Sequence, residues 1–304
     1  MKATKMKMKK SFFLVAVLMI CVLWTSNVSH AKWVKHNGKY MYSKNESGTL
    51  FYKNQWVKID GIYYYFDKNG YRKQGWLKYR GKKYYLNSKG IRVTGFKTIK
   101  KKKYYFTKKG VMITGWLKYN HHYYYLNQSG VMVTGLRKIG DYIYYFDQSG
   151  KRVADADIYF GNMSYYFSEN GALEYTGTEE EMAVAYINIK RMLKGYKPLE
   201  YVEKSNLTYA ATQRAYELEK KKSHIRPDGT KYSTVLRTEY PVENYWSGEC
   251  IFWGTEKRGT QVAADWLANS NSKVLLEEKA NAIGIAKHMD YQGCEYWTAI
   301  VIQK

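Results

Sequence analysis

Aromatic residues, lysines and glycines recur in this sequence at a fixed spacing of twenty residues. Residues 75–154 hold four consecutive units, and each unit contains the same pair of tyrosines, at 84–85, 104–105, 124–125 and 144–145. The faces of such rings attract cations, including quaternary ammonium groups, and they also stack against the C–H faces of sugars. The alternative for any single tyrosine is a packing role along the seam between repeats. As a set, these residues predict an array that binds a cationic group or a glycan.

Lysines accompany the rings at a predicted turn of the array. Four lysines fill positions 100–103, and further lysines stand nearby at 82, 83, 108 and 109. A basic ridge of this kind favours an anionic partner, such as the phosphates of teichoic acid. Alternatively, these lysines lie in a solvated turn and only increase solubility. Both interpretations stay open.

The positive charge of the chain is concentrated in the repeats. The 304 residues include 50 Lys and Arg against 26 Asp and Glu, a formal net charge of +24. Residues 32–177 hold 27 basic and 9 acidic residues, whereas residues 178–304 hold 18 and 17. We therefore expect the repeats to bind an anionic partner, which is a wall polymer, a membrane surface or a nucleic acid.

The N-terminus predicts export. Five lysines within residues 2–10 precede an apolar run at 12–24, and Ser29, His30 and Ala31 follow. These are the charged, apolar and small-residue parts of a signal peptide, so we expect residues 1–31 to be removed by cleavage after Ala31. The run is short for a membrane span, and an uncleaved anchor is the alternative. Export disfavours nucleic acid as the partner, and cleavage leaves no transmembrane span.

Each repeat is predicted to form a β-hairpin. In residues 76–86, two β-prone segments flank a turn that contains glycine. A lone hairpin is marginal in water, so the hairpins are expected to gain stability by stacking one aromatic face against the neighbouring units. With the irregular terminal copies included, residues 32–177 contain about seven units of a β-hairpin solenoid.

These repeats resemble the choline-binding and glucan-binding cell-wall repeats of Gram-positive surface proteins. The Gly-Trp, Tyr-Tyr and Gly positions that carry the resemblance recur in register over residues 32–177. The resemblance implies that ligands sit between consecutive hairpins, in cages built from two rings of one hairpin and one ring of the next. Both rings of a hairpin are kept at Trp56 with Tyr63 and at Trp116 with Tyr123. Tyr85 and Tyr145 are the expected third rings.

Other units depart from this pattern. The second-ring position is occupied by Lys83, Lys103, Ile143 and Ser164, and Phe96 and Leu136 replace the first tryptophan. We therefore favour a glycan such as glucan, or an anionic wall polymer such as teichoic acid, over a choline-decorated glycan as the ligand. The ligand-binding residues predicted for the repeats are Trp56, Tyr63, Trp76, Tyr85, Trp116, Tyr123 and Tyr145.

The twenty-residue period stops at Thr178, where helical periodicity begins. Thr178 and Glu181 predict a capping box at the start of the first helix. Further helices are predicted at 203–222, 233–239 and 261–268, and strands at 282–287 and 296–302, the last of them central in its sheet. This order predicts an α/β sandwich over residues 178–304. Cys250 and Cys294, the cysteines that remain after cleavage, either form a disulfide or are two separate buried residues.

Residues 178–304 resemble the CAP superfamily of cysteine-rich secretory, antigen-5 and pathogenesis-related-1 (SCP-like) proteins. The resemblance rests on Ser-His-Ile-Arg-Pro-Asp-Gly at 223–229, on Gly-Glu-Cys-Ile at 248–251, and on their order and spacing. It implies an α-β-α fold with a cleft lined by two His and two Glu, sometimes occupied by zinc. This sequence keeps His224 and Glu249 but has Asn269 and Lys273 at the other two positions, and a lysine repels a divalent cation. We therefore expect His224 and Glu249 to organise the cleft floor and expect no cofactor, with a weak zinc site at these two residues as the alternative.

The sequence thus predicts a multidomain surface protein, secreted to the cell wall of a Gram-positive bacterium. Its repeats bind wall polymer, and its CAP domain binds a small apolar molecule, a peptide or a host protein. No catalytic constellation is recognisable, so we expect a binding protein rather than an enzyme. Two alternatives stay open: a wall-tethered CAP metallo-hydrolase, and an adhesin whose repeats recognise host glycans.

Overall fold

The computed structural model describes residues 31–239 and 246–303, so the predicted signal peptide lies, apart from Ala31, outside the described residues. The chain forms two compact units. One comprises residues up to Thr114 together with Gln128–Val131, and the other comprises Gly115–Asn127 and Met132–Lys304. In the described residues, none of the helices is both long enough and apolar enough to cross a membrane.

The repeats fold into β-hairpins, which confirms the prediction from the sequence. The first unit contains the strand pairs β1 (Trp33–His36) and β2 (Lys39–Tyr42), β3 (Gln55–Ile59) and β4 (Ile62–Phe66), β5 (Gly75–Tyr79) and β6 (Lys82–Leu86), and β7 (Gly95–Ile99) and β8 (Lys102–Phe106). The second unit continues with β9 (Gly115–Tyr119) and β10 (His122–Leu126), β11 (Gly135–Ile139) and β12 (Tyr142–Phe146), and β13 (Ala156–Phe160) and β14 (Met163–Phe167), to which β15 (Leu173–Glu174) adds a third strand.

Each hairpin closes with a two-residue turn. Arg80 and Gly81, between β5 and β6, have φ angles of 46° and 75°. Positive φ at both central residues defines the turn whose twist matches that of the strands. Lys100 and Lys101 adopt the same conformation, with φ of 48° and 63°, although neither is glycine. The four-lysine run is therefore centred on the tip of a hairpin.

Backbone hydrogen bonds join connecting loops to the hairpin that precedes the one they follow. The Arg92 N–H donates to the Tyr63 carbonyl at 3.0 Å, and the Met112 N–H donates to the Lys83 carbonyl at 2.8 Å. In the second unit, the Arg152 N–H donates to the Tyr123 carbonyl at 2.7 Å. The same position of the repeat thus links neighbouring hairpins within each of the two units.

A row of apolar side chains supports this stacking from within. The last residue of the second strand is fully buried in six hairpins, as Phe66, Leu86, Phe106, Leu126, Phe146 and Phe167. A two-stranded hairpin has no interior of its own, so these side chains are buried by the loops and by the neighbouring hairpins of their unit. Stability therefore accrues between repeats rather than within them.

The glycine in the turn of each connecting loop, such as Gly110, is required for two reasons. Gly110 has a φ of 76°, which favours glycine. A Cβ at Gly110 would also lie 2.5 Å from Cδ of Arg92, whose side chain passes directly over this residue. Gly95 has a comparable φ of 69° but open space around its missing Cβ.

The part of the second unit that follows the hairpins combines helices with one sheet. The helices are α1 (Glu179–Leu193), α2 (Asn206–Lys220), α3 (Thr234–Glu239) and α4 (Gly259–Ala268), followed by a 3-10 helix at Ser270–Leu276. The strands are β16 (Glu200–Tyr201), β17 (Ser247–Gly254), β18 (Ala282–Met289) and β19 (Glu295–Ile302), in the order β16-β18-β19-β17. β16 is parallel to β18, and the other pairs are antiparallel.

Helices cover both faces of this sheet. Alternate residues of β19 divide between them: Val301 packs with α1 and α4, whereas Ile300 and Ile302 pack with α2. α2 approaches so closely that a Cβ at Gly284 would lie 2.2 Å from the Leu207 carbonyl oxygen. The predicted mixed α/β architecture with β19 in a central position is confirmed, and the domain boundaries stay predictions.

The start of α1 follows the sequence prediction. Thr178 is the N-cap, and its hydroxyl accepts from the Glu181 N–H at 3.2 Å while the Glu181 carboxylate accepts from the Thr178 N–H at 2.8 Å. β17 was not predicted, because its residues do not alternate between apolar and polar. Cys250 is buried in β17, and both Cys250 and Cys294 are free thiols.

We predict that Gly110→Ala destabilises the array more than Gly95→Ala. The Gly95 change adds only the strain of positive φ, about 1 kcal/mol. The Gly110 change adds the same strain and also displaces Arg92, for a total of about 2–4 kcal/mol. Urea unfolding followed by tryptophan fluorescence measures both variants. Equal losses would contradict the close approach of Arg92 to Gly110.

Candidate functional site

The Trp56 site shows how two hairpins build one aromatic cluster. Trp56 lies opposite Tyr65 in its own hairpin, with ring centroids 5.4 Å apart, and Tyr63 shares the same face. The ring contributed by the next hairpin is Tyr84, 5.1 Å from Trp56. The sequence prediction placed Tyr85 here, and this placement was wrong. Tyr85 instead faces Trp76 within its own hairpin at 5.2 Å.

The Trp116 site repeats this geometry in the second unit. Trp116 lies 5.3 Å from Tyr125 and 5.0 Å from Tyr144 of the next hairpin. Tyr145, the predicted third ring, instead contacts Phe160 at 5.4 Å. Successive side chains of a strand point to opposite faces, so the two tyrosines of each pair contact different neighbours. The first tyrosine of the pair meets the preceding hairpin.

A third cluster was missed by the sequence prediction. Trp33 contacts Tyr64 of the next hairpin at 5.0 Å and Tyr40 of its own hairpin at 6.5 Å. The spacing from Trp33 to Tyr40 equals that from Trp56 to Tyr63, and this was the available signal. The ring of Trp76 lies 5.1 Å from that of Tyr104 in the next hairpin, and Trp76 is 40% exposed. The second-ring position of this hairpin is Lys83.

Each three-ring cluster also contains an arginine. This arginine comes from the loop that follows the hairpin supplying the third ring. The Arg92 guanidinium carbon lies 4.0 Å from the Tyr63 centroid and 5.8 Å from that of Trp56. Arg72 lies 4.6 Å from Tyr40 and 5.4 Å from Trp33. In the second unit, the Arg152 guanidinium carbon lies 4.6 Å from the Tyr123 centroid. These distances are in the range of cation–π attraction.

The second candidate site surrounds Glu249 on β17. Its carboxylate accepts from Arg214 Nε of α2 at 2.8 Å through one oxygen, and its other oxygen lies 2.7 Å from Nδ1 of His224. The side chains of Glu249 and Arg214 are fully buried, whereas that of His224 is 55% exposed. The structure therefore brings the predicted pair His224 and Glu249 together, with Arg214 as a partner that the sequence did not reveal.

The ion pairs continue along α2. Arg214 also donates to Glu217 at 2.7 Å and to the Ser223 carbonyl at 2.8 Å, and Arg226 donates to Glu217 at 2.7 Å. Burial alone would raise the pKa of Glu217, but the hydrogen bonds from Arg226 and Arg214 outweigh it and hold this pKa below its usual range. The network joins α2, the 223–226 loop and β17.

The other residues that the sequence related to metal ligation or thiol chemistry are Asn269, Lys273 and Cys250. Within residues 31–239 and 246–303, no three His, Cys, Asp or Glu side chains are grouped so that they could hold a metal ion. Asn269 ends α4 and Lys273 lies in the 3-10 helix that follows. Burial raises the pKa of the Cys250 thiol to about 12, so this sulfur stays protonated at neutral pH.

Comparison with known sequence families assigns the array. The choline-binding repeat family matches residues 93–134, and the cell wall binding repeat family matches residues 54–72, 74–91 and 134–151. Residues 54–151 are choline-binding repeats. This confirms the resemblance predicted for that part of the chain, while the CAP resemblance of residues 178–304 stays a prediction.

Solved structures similar to the chain include choline binding protein F and CbpJ, both from Streptococcus pneumoniae. The first is 31% identical over 48% of this chain and 48% of its own, with a TM-score of 0.43. CbpJ is 27% identical over 49% and 54%, with a TM-score of 0.45. The endolysin of phage Cp-1 complexed with choline is 34% identical over 41% and 37%, with a TM-score of 0.31. The chain thus spans about half the length of the first of these structures, and no curated protein matches it.

We predict that Glu249→Ala and His224→Ala have unequal effects on stability. Loss of Glu249 leaves the buried Arg214 without one of its carboxylates and costs about 3 kcal/mol. Loss of the half-exposed His224 costs less than about 1 kcal/mol. Urea denaturation of the two variants measures the difference.

A zinc titration of the unmodified protein serves as the control. A zinc-dependent rise in melting temperature that both substitutions abolish would contradict a purely structural role for the pair.

Proposed function

We propose that this protein attaches to an anionic polymer of a bacterial cell wall through residues 32–177 and carries an α/β domain of the CAP type at the cell surface. The observation that carries the proposal is the combination of choline-binding and cell-wall-binding repeats at residues 54–151 with the concentrated positive charge of the array. Polyanions are attracted to such a surface from a distance, and the rings then contact the sugar or backbone groups of the polymer.

The exposed tip between β7 and β8 supports phosphate recognition. Lys100, Lys101 and Lys102 are exposed at one turn, where their ammonium groups are accessible to a polymer chain. A run of phosphates needs several cations at intervals rather than one enclosed pocket, and exposed lysines recur at multiples of the twenty-residue period, at positions 58, 78, 118 and 138. A polymer such as teichoic acid therefore suits the array better than a single small ligand.

The proposed role of residues 178–304 is binding rather than catalysis. Both oxygens of Glu249 are occupied by Arg214 and His224, so this carboxylate is poorly placed to act as a general base. In this proposal, the network supports the wall of the predicted cleft, and a small apolar molecule, a peptide or a host protein is the ligand. Export by the predicted signal peptide of residues 1–31 belongs to the same proposal.

We predict that Lys100→Asn combined with Lys101→Gly weakens wall binding about thirtyfold. Each basic residue near an anionic surface contributes about 1 kcal/mol. Asn-Gly is a favoured pair for this turn, and Asn37-Gly38 already closes the first hairpin, so the fold is retained. Sedimentation of the full-length protein with Gram-positive sacculi, with and without teichoic acid, measures binding at several salt concentrations.

The control replaces the exposed Lys204 and Lys220, which lie beyond the array, by glutamine. This control should bind like the unmodified protein, and removal of teichoic acid or addition of salt should release both. If the protein binds stripped sacculi as well as intact sacculi, the anionic-polymer proposal is contradicted. Release by soluble glucan alone would indicate that the rings stack on sugars instead.

A further inference from the structure

The arginines in the aromatic clusters occupy the place where a ligand cation would be held. Trp56 and Tyr63 from one hairpin and Tyr84 from the next form three sides of the cluster. The Arg92 guanidinium is centred 4.0 Å from the face of Tyr63, closer than any other arginine or lysine approaches a ring in the described residues. A quaternary ammonium ion uses the same ring faces and the same attraction. The guanidinium and such an ion therefore compete for one position.

The packing around these arginines fixes them in this place. The stem of Arg92 crosses Gly110, and its Nη2 donates to the Lys108 carbonyl at 3.4 Å. The stem of Arg152 crosses Gly171 in the same way. Nε of Arg72 and Nε of Arg152 are buried without a hydrogen-bond partner. Within the described residues, no Asp or Glu forms a salt bridge with any of the three, so rings and carbonyl groups are their main partners.

The sequence compensates where this arginine is missing. Met112 and Met132 stand at the repeat position of Arg72, Arg92 and Arg152. In the corresponding hairpins, which are the third and the fourth, lysine replaces tyrosine at the second-ring position, as Lys83 and Lys103. Nζ of Lys103 lies 5.0 Å from the centre of Phe96, the first ring of its own hairpin. The first, second, fourth and fifth hairpins therefore each have a cation of the chain over one of their rings, supplied by the loop arginine or by Lys103.

The sixth hairpin provides an internal comparison. Its first and second ring positions are Leu136 and Ile143, and the arginine position is Ala172. These two side chains pack in an apolar cluster with Ile189 of α1, and Leu136 is buried there. Where the aromatic rings are absent, the cation is absent as well.

We propose that the chain fills its own aromatic cages, with Arg72, Arg92, Arg152 and Lys103 as built-in cations that exclude choline. Two cations within one small cluster repel each other, and the tethered cation is always present at high local concentration. The aromatic sites then serve to hold positive charge on the array, and the ligand class becomes an anionic polymer rather than a choline-bearing one. This inference rests on the proposed wall-binding function and specifies its ligand.

Methionine at the arginine position gives a gain-of-function test, because the chain itself places methionine there twice. We expect the full-length Arg92→Met and Arg152→Met variants each to acquire one saturable site for choline, at least tenfold tighter than any choline binding by the unmodified protein. Isothermal titration calorimetry with choline chloride and tryptophan fluorescence give the stoichiometry and affinity. Arg92→Lys, which keeps a cation in the cluster, should gain nothing.

Arg137→Met is the matched control, because Arg137 is an exposed strand residue outside the clusters. Circular dichroism establishes that each variant is folded, and the two clusters provide independent tests. Several choline sites in the unmodified protein, or folded Arg92→Met and Arg152→Met variants that behave like Arg137→Met, would overturn the inference. Failure of the unmodified protein to sediment with sacculi would instead contradict the proposed function and leave the choline titrations unaffected.

Discussion

The contact between a loop side chain and the glycine of the next loop holds the array together. Arg92 shows both parts of it: its backbone N–H reaches back to Tyr63, while its stem passes forward over Gly110. A single hairpin has too little buried surface to be stable in water, so these links decide whether the repeats fold. A long, unbranched side chain is needed to cross the glycine, and arginine and methionine both meet that requirement.

The same position also sets the chemistry of the aromatic clusters. A methionine there, as at Met112, leaves the ring faces to other groups, whereas an arginine covers them with positive charge. Because the guanidinium groups are held by rings and backbone carbonyls rather than by carboxylates, their charge is not neutralised within the array. Packing and ligand preference therefore vary together at one residue per repeat, and a change at this residue alters both.

The α/β part of the second unit follows a different principle. Its charged groups are paired with one another: Glu249 is shared by Arg214 and His224, and Glu217 by Arg214 and Arg226. Burying Arg214 costs hydration free energy, which its carboxylate and carbonyl partners offset. The network fixes the loop that carries His224 against the sheet, so internal ion pairs shape the surface beside it.

The sequence by itself determined the repeat period, the hairpins, the capping box at Thr178 and the central position of β19. All of these follow from local spacing and from alternation along one segment of chain. Only the tertiary structure decided that Tyr84 rather than Tyr85 meets Trp56, that Arg92 enters that cluster, and that Arg214 pairs with Glu249. Each of these contacts joins segments whose relative orientation depends on stacking, and a periodic sequence shows which residues are equivalent without showing which faces meet.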